Sequence, residues 1–129
     1  MHHLVWLASD KDLDEVVMDL LLAPMDISEE EYEANYEKYE YAIFDYLVPI
    51  TDPFSGGYRL LTNGFPSASV KFILDNYKYG TMLSPPSYFI VVKDYEVVTF
   101  ADNPSIEETI DILNTLDPDL YVYFFDAHT

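Results

Sequence analysis

Apolar positions along this chain follow two periods, one near 3.6 residues and one of 2, and the switches between them predict alternating helices and strands. The opening run from His2 to Ala8, HHLVWLA, is short, apolar and partly β-branched, and predicts a strand. Ser9 or Asp10 then caps a helix reaching about Leu22, with Leu13, Val16, Val17, Leu20 and Leu21 inward and Asp12, Asp14, Glu15 and Asp19 outward. Pro24 ends it. A second helix is expected from Ser28 to Leu47, SEEEYEANYEKYEYAIFDYL, its start marked by the capping-box pair Ser28 and Glu31. At helical spacing Tyr32, Tyr36, Tyr39, Ile43, Tyr46 and Leu47 share a stripe of about 100°, the width of a face packed on a core.

Further along, Pro49, Pro53, Gly56 and Gly57 predict a loop around Phe54, Tyr58 to Thr62 a short strand, and Asn63-Gly64 a turn. Pro66 and Ser67 open a third helix, with Val70, Ile73, Leu74 and Tyr77 inward and Gly80 as its stop. A loop from Thr81 to Ser87, carrying Met82 and Leu83, leads to a hairpin of Tyr88 to Val92 and Glu96 to Phe100, both rich in β-branched and aromatic residues. Asn103-Pro104 opens a fourth helix with Ile106, Ile110 and Leu113 on its core side, and Asp117-Pro118 closes it. The last run, Leu120 to Phe125, is apolar on both faces and reads as a central strand. The resulting order, βααβαββαβ, predicts an α+β fold: a mostly antiparallel four- to five-stranded sheet with about four helices packed on it. The expected organisation is a single domain over residues 1–129.

Charge changes the picture. With 24 Asp and Glu against 6 Lys and Arg, the net charge is −18, well beyond the magnitude of roughly 2 to 8 that suffices for a small soluble domain. Such a surface repels nucleic acid and anionic lipid and attracts cationic partners. Residues 1–52 carry 14 acids and 2 bases, residues 53–93 carry 1 acid and 4 bases, and residues 94–129 carry 9 acids and no base. Adaptation to high salt would spread the acids evenly and has little use for 12 Tyr and 8 Phe. The densest block is the second helix, where Glu30, Glu33, Glu37 and Glu40 stack a carboxylate about every 5 Å along the axis. Like charges so spaced repel by a few tenths of a kcal/mol per pair, so stability does not ask for the row.

Little else points to chemistry. The chain has no Cys, which removes disulfides, thiolate catalysis and Cys-based zinc sites. His2, His3 and His128 lie at the extreme ends, so a His relay would rest on fraying termini and none is expected. Asp10, Asp12 and Asp14 begin like a calcium loop, but the required Gly and the closing Glu are missing. Carboxylate pairs such as Glu107 and Asp111 arise by chance in so acidic a chain, and Gly56-Gly57 lacks the Lys of a phosphate loop. Lys11, Arg59, Lys71, Lys78 and Lys93 are too scattered for a nucleic-acid patch. No catalytic residue, metal or cofactor is expected, and the protein is not read as an enzyme. The N-terminal residues lack the pattern of a signal peptide and no run approaches a membrane span, so the expected location is the cytoplasm, that of the host if the protein is phage-encoded.

The expected function is therefore that of an acidic inhibitor whose carboxylate row occupies the phosphate-binding groove of a basic nuclease or other nucleic-acid-binding protein, with no direct contact to nucleic acid or membrane. Arg recognises carboxylates and phosphates through the same bidentate geometry. In composition the chain resembles viral proteins from phages that block restriction or CRISPR effectors by mimicking DNA. An immunity protein that neutralises a nuclease toxin needs the same acidity and is the alternative; a salt-adapted or structural protein without a basic partner is the third reading. The partner-binding residues expected are Glu29, Glu30, Glu33, Glu37, Glu40 and Asp45, with Tyr41 and Phe44, which project beside the acidic row, as aromatic anchors.

Overall fold

The structure is a computed structural model that describes residues 2–50, 67–78 and 85–129. The expected strand at Tyr58 to Thr62, the loops around Phe54 and Met82, the Asn63-Gly64 turn, the Gly80 stop and the side chains of Val16 and Tyr77 lie outside the described residues.

The described chain is mixed α+β, with strands β1 (His2–Ser9), β2 (Tyr46–Pro49), β3 (Ser67–Ser69), β4 (Tyr88–Lys93), β5 (Glu96–Asp102) and β6 (Tyr121–His128). Helices α1 (Glu15–Asp19), α2 (Glu29–Ala34), α3 (Val70–Lys78) and α4 (Ile106–Asn114) connect them, and a 3-10 turn covers Tyr36–Tyr39. All six strands form one sheet in the order β2-β6-β1-β4-β5, with β3 also paired to β6. Because β1 occupies one side of β6 from Val122 to His128, β2 and β3 must lie end to end along its other side. The sheet is mixed rather than mostly antiparallel: β1 runs parallel to β4, and the other pairings are antiparallel.

Side-chain alternation sends the two faces of this sheet into two separate cores. On one face Leu4, Trp6, Phe89, Val91, Val122 and Phe124 meet Val70 and Ile73 of α3 and Leu113 of α4. Trp6 sits edge-on to Phe89 and Phe124, with ring centroids 5.5 and 5.4 Å away, the arrangement aromatic quadrupoles favour. On the other face Val5, Leu7, Ile90, Val92, Phe125 and Ala127 meet Val17, Leu21 and Phe44. The central position read for the last strand holds, since β6 is flanked on both sides, and β1 beside it is buried from Leu4 to Ser9.

Several expected boundaries move, each for a local reason. Alpha-helical geometry at the first helix is confined to five residues, because Asp14, rather than Ser9 or Asp10, supplies the cap: Val17 N–H donates to its Oδ1 at 3.1 Å. Residues 67–69 extend as β3 along Tyr121–Tyr123 before α3 begins, and Phe72 N–H donates to Ser69 Oγ. At α4 the cap is Ser105, one residue after Pro104, in a reciprocal capping box with Glu108. The β4–β5 hairpin closes in a two-residue turn with Asp94 and Tyr95 both at positive φ (54° and 63°), the twist that suits right-handed strands. Asp10 accepts from the Asp94 N–H at 3.0 Å, and Lys11 Nζ lies 3.6 Å from Asp94 Oδ1 and 5.8 Å from the Tyr95 ring centroid.

The largest correction concerns the long acidic helix. Only Glu29–Ala34 is α-helical; Tyr36–Tyr39 is a 3-10 turn, and Tyr46–Pro49 is a strand paired to β6. Asn35 breaks the helix. Its side-chain amide donates to the Glu31 carbonyl at 2.9 Å while its backbone N–H reaches Glu31 and Tyr32, the local competition that makes Asn a poor helix-interior residue. Tyr32 and Tyr39 then stack at 5.7 Å with planes 9° apart. In a continuous helix residues seven apart are separated by about 10.5 Å along the axis, so the chain has doubled back.

Candidate functional site

Residues 24–43 leave the body and return to it as an acidic arm. Its base is fixed by backbone bonds, with Ala23 N–H donating to the Phe44 carbonyl at 2.7 Å and Phe44 N–H donating to that of Leu21 at 3.1 Å. Asp26, at φ 56°, turns the chain outward, and Ser28 caps α2 by accepting from Glu31 N–H at 3.1 Å, the hydroxyl half of the expected box. From Ser28 to Lys38 every residue is exposed. Helix α2 packs against the 3-10 turn, and neither contains a buried residue. From Ser28 to Lys38 the arm is held by its cap, its Asn35 bonds and the Tyr32–Tyr39 stack rather than by the core, which the returning chain rejoins at Tyr41 and Ala42.

Its charge is almost all of one sign. Asp26, Glu29, Glu30, Glu31, Glu33, Glu37 and Glu40 stand against Lys38, whose Nζ lies 5.4 Å from the Tyr39 ring centroid. Aromatic and apolar surface is exposed among the acids: Tyr36 is 62% accessible and Met25 81%. At the break, residues 33–38 line a polar hollow of about 520 Å³. Where the arm meets the body, Asp19, Asp45, Leu22, Met25, Lys38 and Tyr39 border a cleft of about 380 Å³.

The eight expected partner-binding residues are divided by this geometry. Glu29, Glu30 and Glu33 lie on α2, Glu37 in the 3-10 turn and Glu40 just after it, all exposed. They share the arm but not one straight row. Phe44 is fully buried, edge-on to Tyr88 at 5.3 Å, so its expected role as a surface anchor is corrected to a core role. Tyr41 is half-buried and stacks on Phe100 at 5.0 Å. Both aromatics face the sheet because the helix that would have turned them outward ends before them. Conversely Tyr32, Tyr36, Ile43 and Tyr46, expected in the core, are exposed.

Asp45 belongs to a second group. Its Oδ2 lies 2.8 Å from His128 Nδ1, while Asp126 Oδ1 lies 3.1 Å from His2 Nδ1 and the Tyr46 hydroxyl 3.2 Å from the same nitrogen. His2 and His128 face each other across the β1–β6 ladder, and Tyr46 stacks on His128 at 5.6 Å. The first and last strands thus pair up to His2 and His128. The terminal position of these residues hid the group, and the signal that finds it is two β-rich end segments whose register brings His2 opposite His128. His3 points to the other face, beside Tyr88 at 5.2 Å and with Nε2 2.9 Å from Thr129 Oγ1. Burial lowers the His3 pKa below 6.5, with the Asp102 carboxylate opposing, and raises that of Tyr88, where Asp102 acts in the same direction.

No known protein family, curated protein or solved structure matches the chain. Among the described residues, no three or more His, Asp or Glu side chains converge to hold a metal ion, and no helix is long and apolar enough to cross a membrane.

Proposed function

We propose that the protein is an acidic inhibitor that uses the arm to occupy the cationic groove of a nucleic-acid-binding protein, such as a nuclease or a restriction or CRISPR effector. The observation that carries this reading is the arm itself: seven carboxylates and one base between Asp26 and Glu40, on a segment anchored at both ends and exposed at every residue from Ser28 to Lys38. A core-packed acidic helix would owe its sequence partly to folding. This arm buries nothing from Ser28 to Lys38, so its charge and its exposed tyrosines call for another explanation. Arg forks take carboxylates as they take phosphates, and Tyr36 supplies the amphipathic ring that anchors interfaces. The break at Asn35 changes the form of the mimicry, from a straight row matched to one DNA strand to a compact cluster matched to a concave basic site.

The test is affinity capture at low and high salt, followed by competition between labelled duplex DNA or RNA and this protein for the captured partner. Replacing Glu29, Glu30, Glu33, Glu37 and Glu40 by Gln should weaken binding at least tenfold, mainly through a slower on-rate. Neutralising Glu107, Glu108 and Asp111 on α4 should have a small effect. Equal losses from both sets would mean that net charge alone drives association, and a partner that binds nucleic acid and this protein simultaneously would overturn the inhibitor reading.

A further inference from the structure

We infer that the outer edge of β5 is a docking site for an extended cationic segment of another polypeptide, which joins the sheet as a further strand. The site lies on a different element from the acidic arm, and it rests on unpaired backbone groups as well as on charge.

Strand β5 stands at one end of the strand order and pairs with β4 alone. The direction of its backbone groups follows from one bond, in which Asn103 N–H donates to the Ser87 carbonyl at 2.7 Å. Across a trans peptide the Asp102 carbonyl points the opposite way, and along an extended strand the side to which a residue turns both its N–H and its C=O alternates. Ala101 therefore faces β4, while Phe100 and Asp102 turn their N–H and C=O groups away from it. Among the described residues no hydrogen bond reaches these outward groups. The register shift of the hairpin falls between Val91 and Val92, so the ladder from Thr99 to Asp102 is regular. Edges are commonly blocked by Lys or Pro, and Glu96–Asp102 contains neither.

Charge selects the occupant. Glu96 and Asp102, at the two ends of β5, are both exposed, and no salt bridge among the described residues involves either. Around them, residues 94–129 carry 9 acids and no base. A second copy of the chain suits this edge poorly. Two chains of net charge −18 repel each other, and an antiparallel β5–β5 pair centred on Thr99 sets Glu96 directly against Asp102 of the other copy, twice. A cationic strand meets the opposite field. Its main chain bonds Phe100 and Asp102, and its side chains opposite those two fall on the face where Tyr41 stacks on Phe100 at 5.0 Å. An Arg or Lys there lays its apolar stem beside aromatic rings and its charge beside the Asp102 carboxylate, while the backbone bonds supply the affinity of an added strand.

The test is an NMR titration of the full chain, 15N-labelled, with a capped peptide of about nine residues in which Arg and Val alternate, at about 0.15 M salt. The expected result is saturable binding of one peptide per chain, with slowed amide exchange at Phe100 and Asp102. The same peptide N-methylated throughout keeps its charge and loses its backbone donors, and should bind weaker by about tenfold or more. Glu96→Lys and Asp102→Lys should each weaken binding by about tenfold, with far-UV circular dichroism reporting the fold of each variant. Replacing Glu29, Glu30, Glu33, Glu37 and Glu40 by Gln should leave the slowed exchange at Phe100 and Asp102 in place, which separates this edge from the arm. Equal binding of the N-methylated peptide would reduce the contact to charge and overturn the site. So would shifts confined to the arm, or no binding at millimolar peptide. Slowed exchange at Phe100 and Asp102 that grows with protein concentration in the absence of peptide would give the edge to a second copy and overturn it as well.

Discussion

Phe44 is where the two readings of the second quarter of the chain diverge most, and Phe44→Ala separates them. On a continuous helix Phe44 would face solvent beside the carboxylates, and truncation would cost the free protein almost nothing. In the structure the ring is fully buried against Tyr88 and within the core that includes Val17, Leu21, Ile90 and Ala127. Removing a buried Phe side chain costs about 3–5 kcal/mol, because transfer energy is lost and the cavity closes only partly. The edge-on pairing with Tyr88 places the value in the upper half, as such pairs add about 0.5–1.5 kcal/mol beyond area. The backbone bonds at Leu21 and Ala23 remain available to Ala, so no further cost enters from the base of the arm. Against a total stability of about 5–15 kcal/mol, a loss near 4 kcal/mol leaves a marginal protein.

Urea unfolding followed by tyrosine and tryptophan fluorescence is a suitable assay. The midpoint should fall sharply at unchanged m, since the surface exposed on unfolding is nearly the same, and Tm should fall by about 12–20 °C for a chain of this length. Phe44→Leu, which keeps most of the volume, should lose less than half as much. Tyr36→Ala, on the exposed arm, should stay within about 0.5 kcal/mol of wild type. A Phe44→Ala loss below about 1 kcal/mol would return this residue to the surface and refute the placement of the chain from Tyr41 to Phe44 under the sheet.

Two further substitutions test local physics. Replacing Glu30, Glu33, Glu37 and Glu40 by Gln should raise Tm by about 1–3 °C in 10 mM salt, from relief of repulsion worth a few tenths of a kcal/mol per pair; the gain should shrink in 0.5 M NaCl as screening takes over. A lower Tm at both salts would mean that these carboxylates hold the arm in place. Tyr95→Gly should stabilise by about 0.5 kcal/mol, because relief of left-handed strain at φ 63° outweighs the extra entropy of Gly in the unfolded chain; a loss above 1 kcal/mol in chemical unfolding would show that the Lys11–Tyr95 contact dominates.

The sheet was largely legible because its strands carry their own signal. The β4–β5 hairpin, the central last strand and the first strand stand where alternation and β-branching put them, within two or three residues. The helix from Ser28 misled because two different structures share its pattern. Tyr32, Tyr36 and Tyr39 recur at helical spacing, yet Asn35 offers its amide to the Glu31 carbonyl, and no periodicity argument weighs that bond. The helical pattern takes in Leu47, which in the structure is the buried residue of the strand Tyr46–Pro49. Strand β2 is only four residues long, too short for period 2 to stand out, and its existence depends on β6, some 75 residues away in sequence. The His2–His128 pair was unreadable for the same reason, since it exists only once the ends of the chain are neighbours.

The broken helix has a consequence for recognition. A row of acids along one straight axis would suit any extended cationic track, and its affinity would follow charge count and salt. An arm broken at Asn35 instead lines a polar hollow with Glu33, Tyr36, Glu37 and Lys38. On the proposed inhibitor reading such a site would select by shape as well as by charge, because a guanidinium entering the hollow would meet Glu33 of α2 and Glu37 of the 3-10 turn, two segments bridged by the Tyr32–Tyr39 stack. Steering would then come from the summed field of the whole acidic surface, and discrimination among basic partners from the residues around the break. The proposed function therefore makes Asn35 the residue on which selectivity would depend: an arm straightened into one helix would keep every charge and lose the hollow.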